Sequence, residues 1–117
     1  MRLKAALEAS HPLSEVGFVN DYVQLHFQDL VLNLYSRLVV NASGQSLQQG
    51  DERFAGGLVK LIGQRVTSVE YNARSSLSLG FSDGSSLVAS LQAQDANGEE
   101  LFQLSGPGVP LLIEQVA

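Results

Sequence analysis

The chain of 117 residues contains no cysteine. Disulfides, cysteine-ligated zinc or iron–sulfur centres and a thiol nucleophile are therefore excluded, and a reducing, cytoplasmic setting is expected. Long apolar runs are also missing. A membrane helix needs about 18 or more consecutive apolar residues, and the chain has none. Met1-Arg2-Leu3-Lys4 carries a basic pair, but Glu8 interrupts before a signal-peptide core could form, so a mature cytoplasmic N-terminus is expected. Basic residues are scarce: seven Lys and Arg stand against twelve Asp and Glu, a net charge of −5. That balance opposes nucleic acid, whose phosphates demand cations. It favours solubility or a basic protein partner.

The machinery of common chemistries is equally thin. There are two histidines, His11 and His26, whereas a metal site needs three or four ligands. His26 with Asp21 or Asp29 falls short of that number. No serine sits in a Gly-x-Ser-x-Gly turn. Gly56-Gly57-Leu58-Val59-Lys60 has glycines and a lysine but not the spacing or hydroxyl of a phosphate loop. If Glu99-Glu100 lies in an extended segment, the two side chains point to opposite faces. No catalytic, cofactor-binding or metal-binding residue is assigned, and no enzyme activity is expected.

What is present is alternation. Residues 2–9 read as a short helix with Leu3, Ala6 and Leu7 on one face, stopped by Pro12. Val23, Leu25 and Phe27 share one face of a strand, and Leu30, Leu32 and Leu34 return after a turn at Gln28-Asp29. Residues 37–42 read as a third strand. Residues 43–50 are polar and turn-rich, and read as a linker. A second helix is expected over residues 52–62, with Phe54, Leu58, Leu61 and Ile62 as its buried stripe, Asp51 as N-cap and Gly63 as the closing glycine. The interior pair Gly56-Gly57 costs about 2 kcal/mol against alanine, so something must approach that turn closely. Leu77, Leu79 and Phe81, an Asp83-Gly84 turn, Leu87, Ala89 and Leu91, an Asn97-Gly98 turn, then 101–104 and 111–113 complete a second β region.

The two β regions match. Val16 and Val19 align with Val66 and Val69 at an offset of 50, Val23-x-Leu25-x-Phe27-x-Asp29 with Leu77-x-Leu79-x-Phe81-x-Asp83 at 54, and Leu30-x-Leu32-x-Leu34 with Leu87-x-Ala89-x-Leu91 at 57. The expected fold is a single α+β domain over residues 1–117, mostly antiparallel sheet with two short helices. It contains an internally duplicated β-hairpin unit in halves of about 1–42 and 51–117. A small barrel or sandwich is the alternative.

Ile62-Gly63-Gln64-Arg65-Val66-Thr67-Ser68-Val69, then Leu77-Ser78-Leu79-Gly80-Phe81-Ser82-Asp83-Gly84-Ser85-Ser86-Leu87, then Gly98-Glu99-Glu100 resembles a pattern of small uncharacterised bacterial domains, many of them immunity-protein-like. The first half carries it more loosely and lacks the turn glycine. The resemblance implies a protein that masks a toxin, and brings no catalytic residues.

The expected function is a protein-interaction module for a basic partner, an immunity protein against a basic toxin being one form of it. A structural or homodimeric self-associating domain is the alternative, and small-ligand binding a third. Residues 1–50 carry a net −1 and residues 51–117 a net −4. Asp95, Glu99 and Glu100, around the Asn97-Gly98 turn, are the candidate partner-binding residues. Tyr22, Tyr35 and Tyr71 are expected at partly exposed strand positions, and tyrosine is enriched in interfaces.

Overall fold

In a computed structural model of the protein, residues 2–116 are described; a single domain over 1–117 extends by Met1 and Ala117 beyond them. Helix α1 (Arg2–Glu8) buries Leu3 and Leu7, four apart on one face. Strands β1 (Glu15–Val19), β2 (Tyr22–Phe27) and β3 (Leu30–Leu34) form an antiparallel meander. In β2 and β3 every second side chain is buried, as the alternation requires. A hairpin of β4 (Leu38–Ala42) and β5 (Gln45–Gln48) follows. The order then repeats: helix α2 (Phe54–Val59), a meander of β6 (Val66–Asn72), β7 (Ser76–Phe81) and β8 (Ser86–Ser90), a single 3-10 turn at Ala93–Asp95, and a hairpin of β9 (Glu100–Gly106) and β10 (Val109–Gln115).

Each hairpin pairs with the meander of the other half. The first sheet runs β1-β2-β3-β9-β10 and the second β5-β4-β8-β7-β6. All pairings are antiparallel, and both sheets are open, so neither closes as a barrel. Their buried faces contribute to one contiguous core that also takes in Leu3 and Leu7 of α1 and Phe54 and Leu58 of α2. The architecture is mostly antiparallel sheet with two helices, within the α+β class.

Several expectations need correction. Residues 43–50 are not a linker: Ser43-Gly44 turn the chain, and Gln45–Gln48 form β5, whose Leu47 is 7% exposed. A single buried leucine among polar residues is all that an edge strand needs. The first half accordingly runs on to Gln48. The second helix is shorter than expected. Phe54, Leu58 and Leu61 are buried, but the chain leaves the helix after Val59, and this turns Ile62 outward to 42% exposure. Asp51 does not cap the helix from the N-cap position, which is Arg53; its Oδ1 instead accepts the Arg53 amide at 3.2 Å. Gly63 does take the left-handed conformation that ends the segment, at φ +93°.

The alignment between the halves also shifts. The first meander turns in two residues, Gln28 taking φ +60° in the absence of a glycine, while the second uses three, with Gly84 at φ +90°. The ladders therefore pair Leu25 with Leu32 and Leu79 with Leu87. Leu32 corresponds to Leu87, and Leu34 to Ala89, two residues from the sequence match. Likewise Val16 pairs with Leu25 and Val69 with Leu79, so Val16 answers to Val69, whereas Val19 faces Tyr22 at the exposed strand end. Alternation alone cannot distinguish registers two residues apart. Phe27 and Phe81 end the middle strands of the two meanders, and both are buried.

Candidate functional site

Glu99 and Glu100 come together with residues distant in sequence. Asp21 lies in the β1–β2 turn, Tyr22 opens β2, Tyr35 follows β3, and Glu99-Glu100 lead into β9. With Asn97, they line a cleft of about 430 Å³ at one end of the first sheet. Backbone hydrogen bonds position the cleft. Tyr35 donates its amide to the Leu101 carbonyl at 3.0 Å, and its own carbonyl accepts the Asn97 amide at 3.0 Å. The Asn97 side chain donates to the Asp21 carbonyl, tying the 96–99 loop to the β1–β2 turn. Val116 donates to the Glu99 carbonyl at 2.8 Å.

The two tyrosine rings pack against each other, with centroids 4.9 Å apart and planes tilted by 51°. Both are half-buried, while Asp21 and Glu99 are exposed and Glu100 is half-buried. Burial raises the Tyr35 phenol above its ordinary value of 10.0, a hydrogen bond with Asn33 pulls it back, and the charge of Glu100 adds to the rise. Tyr35 is therefore a neutral phenol at physiological pH. The cleft offers aromatic surface edged by carboxylates and no basic side chain. Such a site attracts cations, by charge and by the ring faces, at about 0.5–2 kcal/mol for each cation–π contact.

Asp95 stands apart from this cleft. Its Oδ2 accepts the Ser90 hydroxyl at 2.7 Å, its Oδ1 lies 3.8 Å from Arg37 Nε, and its side chain is only 22% exposed. Its carbonyl accepts the Arg37 amide at 3.1 Å. Asp95 holds the 3-10 turn against β8 and the start of β4, and it does not line the cleft that takes in Glu99 and Glu100. Asp21, Tyr22 and Tyr35 were not tied to the acidic pair by sequence reasoning. The signal available was weak: two tyrosines at the ends of strands that a short turn makes neighbours.

His26 lies between Glu15 and Val31 on the outer face of the first sheet, with Nε2 3.3 Å from Gln24 Oε1. Asp83 is held below its ordinary carboxylate value first by the Ser85 hydroxyl and then by the Ser85 amide, both contacts made within the β7–β8 turn. Among the described residues no three His, Asp or Glu side chains gather as metal ligands, and no helix is long and apolar enough to cross a membrane. The chain matches no protein-family model, no curated protein and no solved structure.

Proposed function

We propose that this protein is a non-catalytic interaction module, and that the acidic, tyrosine-lined cleft receives a basic segment of a partner protein. An immunity protein masking a basic toxin is the form of that role to which the sequence resemblance points. The observation that supports the reading is the packed Tyr22–Tyr35 pair beside Asp21, Glu99 and Glu100. A lysine or arginine laid on the rings would find carboxylates at the edge of the same cleft, a complementarity that speeds encounter and weakens with salt.

The test is titration of the full chain with hexa-arginine, using hexa-glutamine as the neutral control. Amide shifts should concentrate at Tyr22, Tyr35 and residues 97–100. The triple variant Asp21→Asn/Glu99→Gln/Glu100→Gln should bind at least about tenfold more weakly, since 1.4 kcal/mol separates each decade. A variant with the same charge change elsewhere, Asp29→Asn/Glu52→Gln/Glu70→Gln, should lose much less. Equal losses in the two triple variants would reduce the cleft to bulk charge and sink the proposal.

We infer further that the chain is an internal duplication of a helix–meander–hairpin unit whose hairpins have been exchanged. Supporting this are the matched element order and the matched rungs Leu25–Leu32 and Leu79–Leu87. Each half lacks two strands of its own sheet without the other. Separate fragments 1–50 and 51–117 should therefore be largely unfolded alone and should regain β-structure when mixed. Independent folding of either fragment would count against the exchange.

Self-association is the second reading, and one observation favours it. β10 is a free edge of the first sheet, without lysine or arginine, on which Leu111 is 56% and Ile113 43% exposed. Edge strands invite pairing with another chain, and Pro110 and the register irregularities of β10 confine such pairing to its 111–114 stretch. Light scattering should then show a dimer that Ile113→Lys dissociates.

A further inference from the structure

The two hairpins carry equivalent leucines. Leu47 of β5 pairs with Val40, which pairs with Leu87; Leu112 of β10 pairs with Leu104, which pairs with Leu32. Leu47 is covered by its helix. A Cβ on Gly57 of α2 would lie 2.9 Å from Leu47 Cδ1, so any larger residue there would have to displace the leucine tip. Leu112 is not closed over in the same way. It remains half-buried beside a cavity of about 350 Å³, open to solvent, that α1, β6 and the β9–β10 hairpin line between them.

We propose that this cavity binds a small, uncharged aromatic molecule bearing one hydrogen-bond donor, of the phenol or indole class. The volume is at the low end of the roughly 300–1,000 Å³ typical of small-molecule sites. Leu3, Phe102, Leu112 and Ile113 make its lining mostly apolar. Tyr71 and Phe102 meet edge to face, with centroids 6.5 Å apart and planes at 83°, an arrangement that a further ring can extend.

The polar groups set the ligand's charge. Tyr71 donates its hydroxyl to Glu114 Oε2 at 2.7 Å. A carboxylate has about four acceptor sites, so Glu114 can accept a second donor, from the ligand. A ligand anion would be repelled by Glu114. A ligand cation would be opposed by Arg2 at the rim, which forms no ion pair among the described residues. A neutral hydroxyl or ring N–H satisfies both. This site shares no lining residue with the acidic, tyrosine-lined cleft and does not depend on it.

The experiment is a methyl- and amide-resolved titration of the full chain with phenol, indole, benzene, benzoate and benzylammonium. Phenol and indole should shift the methyls of Leu3, Leu112 and Ile113, and bind about tenfold or more tightly than the other three. Leu112→Trp should fill the cavity and abolish binding with the rest of the spectrum preserved. Glu114→Leu provides a second variant should the first fail to fold: it should erase the preference for phenol over benzene while leaving benzene binding in place. The proposal is overturned if the methyls do not move up to the solubility limit of phenol and indole, if benzene binds as tightly as phenol, or if the shifts fall on Tyr22 and Tyr35 instead.

Discussion

The seam between α2 and the β4–β5 hairpin differs from its counterpart between α1 and the β9–β10 hairpin, although the strands beneath are arranged alike. In the first, Gly57 lets the helix backbone reach Leu47, and Leu58 is wholly buried beside it. In the second, α1 packs chiefly along β6, leaving Leu112 half-covered and Tyr71 bonded to Glu114 at the edge of a cavity. One seam is occupied by the chain itself, and the other has room for something else. The difference comes from small residues and short distances, since the same ladder geometry supports both.

The largest effect should come from the closed seam. Leu58→Ala is expected to cost about 2–5 kcal/mol in urea denaturation, from lost transfer energy and the cavity left behind; an unchanged midpoint would mean that α2 does not seal the core. The paired leucines sharpen the contrast. Leu47→Ala should cost about 2–3 kcal/mol and Leu112→Ala no more than about 1 kcal/mol, because the latter side chain is already partly hydrated. Equal losses would erase the distinction between the seams. Gly57→Val should lift α2 from Leu47 at about 1–3 kcal/mol, the range for overpacking, whereas Gly56→Ala, with nothing within 4 Å of its Cβ position, should be neutral or stabilising by up to about 1 kcal/mol.

Smaller effects separate the acidic residues. Asp95→Ala removes the acceptor of the Ser90 hydroxyl and should cost about 1 kcal/mol, while Glu99→Ala should stay within about 0.5 kcal/mol. The smallest effect is alkaline. The Tyr71 phenol is raised above 10.0 by its hydrogen bond to Glu114, then by burial and by the charge of Glu114. Its contribution to stability is complete below pH 10.0 and declines as pH rises through the folded-state value. Tyr71→Phe should remove that part of the alkaline decline. An ultraviolet titration should show the corresponding late-ionising tyrosine disappear, and its persistence in the variant would place the shift elsewhere.

Much of this was legible in the residues. Alternation in Val23-Gln24-Leu25-His26-Phe27 and in Leu77-Ser78-Leu79-Gly80-Phe81 marks strands with one buried face. Asp83-Gly84 marks a turn, and Gly56-Gly57 inside an apolar helical stripe signals a close approach, which Leu47 makes. The strand β5 was hidden because Gln45-Ser46-Leu47-Gln48 has one apolar residue and an edge position asks for little more. The acidic pair Glu99-Glu100 could be named from its place beside a turn. Its companions Asp21, Tyr22 and Tyr35 could not, because the β3–β9 pairing that joins them links residues about seventy positions apart.

The sequence by itself determined the element types, the turns and the side of each strand that would be buried, because these follow from spacing of two or nearly four and from the φ each turn requires. Only the tertiary structure decided which hairpin joined which meander, which register each turn imposed, and which of two similar seams was closed. Those outcomes depend on contacts between distant segments, such as Gly57 against Leu47 and Tyr71 against Glu114, whose free energies no local pattern encodes.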